Sequence, residues 1–345
     1  MAYADAEVIG SVSRPEDIEA TFMGNDDRCD CLRARLGLFR FVAMRTSQWP
    51  RRHLRYEPMG NLNEDQIEAF RRDGAVVAEN AVSSETLAAL RSTFSVWVEE
   101  SRAHAAPYGH ICDGRPRFDI EDDHSSKHPS LRRVASPTDV SDIYAVVAFD
   151  SAMTDMAADV LGPNVRFHHS KVNSKLPRTK TSVKWYQDFP FDPHSNYDTL
   201  TALLFLDDVT AENGPLLIAP GSHRGPLLSH FQNGVFTGAI SEEAAAQFQA
   251  ESVPCTGPAG AVCLMHSRVA HASTANNSSA ARTLYIVTYA AADVAPLSPV
   301  AVPSPHQGRI VRGCEPGRIR SMGFEIETPV IPKGASFFTQ QAGKD

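Results

Sequence analysis

A carboxylate and an imidazole that lie far apart in the chain are the first candidates for chemistry. Asp188 follows the aromatic run 185–186, and His271 comes much later, after an apolar run at 261–265. The two side chains meet if the strands that carry them pair across a barrel. One carboxylate and two histidines on one face form the ligand set of non-haem Fe(II) sites, which leave the remaining coordination positions open. Asp188 and His271 therefore supply two of the three ligands of such a site.

Two helices are predicted ahead of these residues. Asn61 or Asn63 can cap a helix with an acidic first turn, which stops at Gly74. Residues 75–78 then form a strand, and a second helix opens at 83–85 with apolar residues at helical spacing. These helices are expected to pack outside the element that carries the chemistry.

From about residue 165 the pattern changes to short apolar runs bounded by turn residues. The runs cover 165–167, 201–206, 215–219, 261–265 and 283–289. They predict a mainly β fold with flanking helices, a double-stranded β-helix (a cupin-like jelly roll) over about 160–295. Residues 1–58 show no sustained period, so we expect a loosely attached N-terminal extension, followed by one domain over 59–345.

Charge and hydropathy exclude several classes of function. The 345-residue chain has 33 Lys and Arg against 41 Asp and Glu, a net charge of −8, which does not favour nucleic acid as a partner. No apolar run approaches the ~18 residues of a membrane span. The N-terminus lacks the basic start and apolar stretch of a secretory signal. The six scattered cysteines do not form a disulfide framework. A soluble, cytoplasmic protein is expected.

Three ordered sequence blocks carry a resemblance to a known family. They are WYQD at 185–188, DDVTAENGPLLIAPGSH at 207–223 and HASTANNSSAAR at 271–282. In this order they resemble the phytanoyl-CoA dioxygenase family of Fe(II)- and 2-oxoglutarate-dependent oxygenases, which includes the ectoine hydroxylases. The resemblance covers about residues 60–342.

The resemblance implies an enzyme that hydroxylates or otherwise oxidises a small molecule with O2, Fe(II) and the cosubstrate 2-oxoglutarate. It assigns the metal to Asp188 and His271, and it places the family's first iron-binding histidine at Tyr186. It assigns the cosubstrate carboxylate to Arg282 and Ser273. The remaining expectations are Asn173, His169 and Lys175 near the cosubstrate, and Phe189, Phe191, His194, Tyr197 and His266 in the substrate pocket.

Tyrosine at position 186 leaves several interpretations open. A neutral imidazole offers a lone pair at neutral pH, whereas a phenol, with a reference pKa of about 10, must lose its proton to bind a metal well. The site is impaired, Tyr186 binds metal in an unusual way, the residue is an error or an engineered change, or another histidine substitutes. The candidates for that substitution are His194, His169 and His266.

Two rival functions follow from the same residues. An impaired family member would act as a binding protein for a 2-oxo acid or another small molecule, through Arg282 and Ser273. A zinc hydrolase that uses Asp188, His266 and His271 ranks below both oxygenase and binding protein.

Overall fold

The computed structural model describes residues 62–177, 181–330 and 341. The predicted extension at 1–58 lies outside these residues, so the domain boundary stays a prediction. The helices of the described part are α1 Glu64–Asp73, α2 Ser84–Ser101, α3 Asp142–Phe149, α4 Ala152–Leu161 and α5 Glu242–Ala250. None of the helices in these ranges combines the length and the apolar character that crossing a membrane requires.

Helix α1 begins and ends where the sequence predicts. Asn63 caps it, and the Asn63 and Gln66 side chains each accept a hydrogen bond from the other residue's backbone N–H. Gly74 ends it with a left-handed backbone, φ 83°. A Cβ at Gly74 would lie 2.4 Å from the His223 ring and 2.5 Å from Val269, so only glycine fits this turn.

The strands form two antiparallel sheets. The strands are β1 Ala75–Ala78, β2 Tyr108–His110, β3 Pro116–Ile120, β4 Leu131–Ala135, β5 Val165–Lys175, β6 Val183–Tyr186, β7 Thr199–Phe205, β8 Leu216–Ile218, β9 Phe231–Gln232, β10 Val235–Phe236, β11 Val253–Cys255, β12 Val262–His266, β13 His271–Ser273, β14 Arg282–Ala291 and β15 Ile310–Arg312. The main sheet has the order β1-β12-β7-β14-β5-β4-β3-β2, with β15 also beside β5, and the smaller sheet has the order β11-β8-β13-β6. A separate hairpin pairs β9 with β10.

Alternation along β14 separates the outside of the main sheet from the inside of the jelly roll. Tyr285 and Tyr289 point outward, where their hydroxyls donate to backbone carbonyls of α3 at 2.8 Å. Leu284 packs inward in an apolar cluster with Ile218 of the smaller sheet. Because successive side chains of a strand face opposite sides, Arg282 shares the inner face with Leu284.

The main sheet is larger than the sequence predicts. Strands β2, β3 and β4 and helices α3 and α4 lie before residue 165, in a stretch for which no regular pattern was assigned. Residues 121–128, between β3 and β4, are dominated by charged and polar residues. The short strands around them therefore lack a long alternating signal, although β4 pairs with β5 along 133–135 and 171–173.

Candidate active site

Asp188 and His271 meet at the smaller sheet, as the sequence predicts. Tyr186, at the end of β6, pairs directly with His271 of β13, and Asp188 follows two residues later at the start of a short 3-10 turn. His271 Nε2 lies 3.6 Å from Asp188 Oδ1. Ligand atoms at this separation can both reach one metal ion at the usual distance of roughly 2.0–2.2 Å.

Hydrogen bonds hold both side chains in a ligating orientation. The Nδ1 of His271 lies 2.9 Å from the Val269 carbonyl, which can only accept a hydrogen bond. His271 Nδ1 therefore carries the proton, and Nε2 turns its lone pair toward Asp188. The Thr201 hydroxyl donates to Asp188 Oδ2 at 2.7 Å, so Oδ1 remains toward the histidine. Burial lowers the pKa of His271 and keeps the imidazole neutral.

Tyr186 occupies the position beside these two side chains. Its ring centroid lies 4.0 Å from that of His271, and the phenol ring also meets Phe191 edge-on at 5.5 Å. Burial raises the pKa of Tyr186 well above its usual value, and the nearby Asp188 charge raises it further. In the metal-free protein the phenol is therefore protonated.

The first of two cavities at this site extends from Asp188 toward Arg282. Arg282, Asn173, Lys175 and Ser273 all line it, together with His271. Arg282 is 4% exposed, and the Nε of its guanidinium has no hydrogen-bond partner. Burial lowers its pKa to about 10, so it keeps its positive charge at neutral pH.

Polar groups surround this guanidinium without neutralising it. Lys175 Nζ donates to Ser273 Oγ at 2.8 Å and to the Thr274 carbonyl. Burial, followed by repulsion from Arg282, lowers the pKa of Lys175 to about 6. The buried Oδ1 of Asn173 has no partner either. Two further cations line the first cavity, Lys171 and Arg132, and Arg132 is paired with Asp119 and Glu121. The Arg282 guanidinium, the largely neutral amine of Lys175 and the unused hydrogen-bonding capacity of Asn173 together suit a carboxylate ligand.

The second cavity shares Tyr186 and Asp188 with the first. It is lined by His169 and His194 from the predicted list, and by Asp192. His169 therefore faces this cavity and not the one that contains Arg282. Burial lowers the pKa of His169 and of His194 to about 4, so both imidazoles are neutral at pH 7.

His194 lies in a second group of metal-binding residue types. Ligand atoms of His168, Asp192 and His194 are all within 4.8 Å of one another. His168 Nε2 and Asp192 Oδ2 already form a hydrogen-bonded pair at 2.6 Å. His194 Nδ1 donates to the Asp192 backbone carbonyl at 2.7 Å. The contacts of His194 are thus with this group, and its substitution for a ligand at Tyr186 stays a prediction.

The other predicted pocket residues divide between the second cavity and other surroundings. Phe191 lines the second cavity. Phe189 is fully buried and packs against Tyr197 at 5.0 Å. His266 contacts Phe70 and His223 at the end of α1, and it lines neither of the two cavities. The structure therefore does not bring Phe189, Tyr197 and His266 into this site.

The polar cavity residues that sequence reasoning missed include Arg133, Lys171 and Thr201. Thr201 falls within an apolar run and carries no chemical signal of its own. Lys171 lies two residues before Asn173, in the mostly polar run at 168–175. Arg133 follows another arginine in a short strand, a pattern that reads as solvent-exposed. Only the pairing of Arg133 with Asn173 across β4 and β5 places it inside.

The fold is a jelly roll in which a carboxylate and an imidazole meet beside a cavity that contains a buried arginine. EctD from S. alaskensis, solved with 2-oxoglutarate and 5-hydroxyectoine, superposes with a TM-score of 0.58 at 24% identity, covering 80% of this chain and 90% of that one. This likeness confirms the predicted fold class. The sequence matches the phytanoyl-CoA dioxygenase (PhyH) family over residues 70–284. The chain belongs to that family, which confirms the resemblance of the three blocks.

Curated relatives are enzymes named for different small molecules. A probable α-ketoglutarate-dependent hypophosphite dioxygenase of Stutzerimonas stutzeri is 39% identical over 173 residues, which are 48% of this chain and 59% of the relative. L-Proline trans-4-hydroxylase of Streptomyces griseoviridis is 27% identical, over 55% of this chain and 76% of the relative. Ectoine dioxygenase of S. stutzeri A1501 is 26% identical, over 69% and 80%.

Proposed function

We propose that this protein is an Fe(II)- and 2-oxoglutarate-dependent dioxygenase that oxidises a small molecule. The observation that carries the proposal is the buried Arg282 guanidinium, whose Nε lacks a partner, in the same cavity as Asp188 and His271. A guanidinium fork matches a carboxylate through two parallel hydrogen bonds. The names of the relatives, which refer to hypophosphite, L-proline and ectoine, support a small molecule as the substrate.

The residues present fit the cosubstrate and two of the three expected iron ligands. Asp188 and His271 would hold the iron, and Arg282 with Ser273 would hold the distal carboxylate of 2-oxoglutarate. Iron bound there supplies the activation of O2: one oxygen atom enters the substrate C–H or comparable bond, and the other enters 2-oxoglutarate, which leaves as succinate and CO2. The atoms and electrons of this reaction balance without a further reductant.

The chain's own contribution is position and exclusion of water. Thr201 fixes one carboxylate oxygen of Asp188, and the Val269 carbonyl fixes the tautomer of His271. The apolar inner faces of β7, β12 and β14 close the first cavity around Met265 and Leu284. An enclosed, apolar wall strengthens the interaction between Arg282 and a carboxylate, because little water competes for it.

Tyr186 separates the proposal from its rival, a binding protein that retains the cosubstrate pocket and holds iron poorly. A protonated phenol is a weaker donor to Fe(II) than an imidazole. Three measurements on the purified protein distinguish the two functions: its iron content, a calorimetric titration with 2-oxoglutarate, and the amount of succinate formed with iron and O2.

Each outcome of this experiment has one meaning. Binding of 2-oxoglutarate together with succinate formation supports the dioxygenase. Binding without retained iron or succinate supports the binding protein. A protein that does not bind 2-oxoglutarate contradicts both, and Arg282→Gln, which removes the fork, serves as the negative control.

A further inference from the structure

A second arginine inside the jelly roll has no partner of its own. Arg133 of β4 is 6% exposed, and its Nε makes no hydrogen bond. Asp119, the acidic residue that acts on it most, instead forms an ion pair with Arg132 at 2.6 Å. Within the described ranges, Arg133 forms no ion pair and its guanidinium donates no hydrogen bond. A buried, unpaired charge is costly, so such a group indicates a missing anion.

The surroundings of Arg133 leave that positive charge in excess. Arg133 lines the second cavity together with Lys171, whose pKa burial lowers to about 8, so that its amine remains mostly protonated at neutral pH. Asp192 also lines this cavity as a carboxylate: its Oδ2 pairs with His168 at 2.6 Å and its Oδ1 has no partner, so it offsets one of the two positive charges of Arg133 and Lys171. Asp188 is the proposed metal ligand. The neutral imidazoles of His169 and His194 add hydrogen-bonding capacity without adding negative charge.

We propose that the second cavity binds the anionic group of the substrate, a carboxylate or a phosphorus oxyanion, on the guanidinium of Arg133. This inference rests on the proposed function, since it names the substrate class of the same site. Both kinds of anion offer two oxygens at the spacing of the guanidinium fork. Lys171 adds a point charge beside it.

The positions of the two cavities also orient the substrate. Lys171, Tyr186, Asp188 and Thr201 line both cavities, so these residues form the shared wall between them. A molecule anchored by its anionic group on Arg133 extends the rest of its structure toward Asp188. The cosubstrate, anchored on Arg282, reaches the same wall from the opposite side. The two arginines thus fix the far ends of two ligands whose reactive ends meet at the metal ligands.

Calorimetric titration with four defined probes tests this proposal. Hypophosphite and phosphite represent phosphorus oxyanions, and acetate and L-proline represent carboxylates; each is added to the wild-type protein with and without 2-oxoglutarate. We expect saturable binding of one class, weakened about 10-fold or more by Arg133→Gln, with 2-oxoglutarate affinity unchanged. Arg133→Lys keeps the charge and loses the guanidinium fork, so its affinity for the probe should lie between those of wild type and Arg133→Gln. Arg166→Gln removes an arginine that pairs with Glu315 outside the cavity, and it should bind as wild type.

The outcomes distinguish this inference from the proposed function. If 2-oxoglutarate binds wild type but none of the four probes does, or if Arg133→Gln binds them as tightly as wild type, the anion site is wrong and the dioxygenase proposal stands. If the probes bind through Arg133 but 2-oxoglutarate does not bind, the anion site stands and the dioxygenase proposal is wrong. A loss of 2-oxoglutarate affinity in Arg133→Gln equal to that in Arg282→Gln assigns Arg133 to the cosubstrate and overturns the inference.

Thermal unfolding gives a second measurement that does not depend on affinity. Arg133→Met removes an unpaired buried charge, so we expect its midpoint without ligand to equal or exceed that of wild type. The bound probe should raise the midpoint of wild type and leave Arg133→Met unchanged. A structural role predicts the opposite, a lower midpoint for the variant and no effect of the probes on wild type.

Discussion

The two cavities share one wall and differ in how their charges are arranged. In the first, Arg282 lies with Ser273, Asn173 and Lys175, an amine that burial leaves largely neutral, and the other arginine of the lining, Arg132, is paired with Asp119 and Glu121. In the second, Arg133 lies among imidazoles and near Asp192. The first is therefore built for one carboxylate, while the second has donors and acceptors of several kinds. This difference suits a site with a constant cosubstrate on one side and a family-variable substrate on the other.

Of the substitutions that separate the two cavities, the one at Arg282 should have the largest effect on ligand affinity. Arg282→Gln removes the guanidinium fork from the first cavity, and we expect 2-oxoglutarate affinity to fall about 100-fold, the equivalent of about 3 kcal/mol. Metal affinity, measured by titration with Fe(II) under anaerobic conditions, should stay the same, because Arg282 does not contact Asp188 or His271. Equal losses of metal and 2-oxoglutarate would contradict the assignment.

Tyr186 lies in the shared wall, so changing it tests both cavities at once. Tyr186→His places a neutral nitrogen donor beside His271 and Asp188, and Fe(II) affinity should rise on the order of 10-fold or more, with a parallel rise in succinate formation. Tyr186→Phe is the matched control, and we expect no gain from it. Unchanged iron content and turnover in Tyr186→His would mean that this side chain does not face the metal, or that another histidine already completes the site.

The hydroxyl of Thr201 tests how the shared wall holds the proposed metal ligand Asp188. Thr201→Val removes the 2.7 Å hydrogen bond to Asp188 with little change in shape, and metal affinity should fall about 10-fold. Thr201→Ser keeps the hydroxyl and should behave as wild type. If valine and serine give the same metal affinity, the hydrogen bond has no part in holding Asp188.

His266, outside both cavities, should affect stability alone. Burial lowers its pKa to about 3, well below the ordinary 6.5, so the unfolded chain binds a proton that the folded protein does not. Its contribution to stability is present above pH 6.5 and is lost as the pH falls from there toward 3. Urea unfolding between pH 7 and pH 5 should therefore show a smaller loss of stability in His266→Gln than in wild type. If the stability of wild type and of His266→Gln falls equally between pH 7 and pH 5, His266 does not contribute to the pH dependence of stability.

The first cavity could be predicted from the sequence far better than the second. Arg282 starts an apolar strand at a fixed distance from His271, and alternation with Leu284 puts it inside. Asp188 and His271 were predicted to meet, and they do. These residues belong to contiguous blocks whose order carries the information.

The second cavity could not be predicted in this way because its residues come from separate parts of the fold. Arg133 comes from β4, and His194 from a loop whose position depends on contacts with His168. The sequence at 131–135 does not show which of two adjacent arginines reaches which cavity: Arg132 lines the first and Arg133 the second. Their positions depend on the register of β4 on β5, where Arg133 lies opposite Asn173. Register between strands that are distant in the chain is a tertiary property, and local pattern does not specify it.

The position of β4 has a consequence for how this protein could diversify. The proposed metal and cosubstrate residues lie elsewhere: Asp188 follows β6, and His271 and Arg282 begin β13 and β14. Arg133 belongs to a strand that joins the main sheet beyond β5. Substitutions in β4 can therefore alter the chemistry at the far end of the second cavity and leave those three residues in place. Descendants of one ancestral gene could acquire new substrates by drift and selection on this strand, while the oxidative reaction is inherited unchanged.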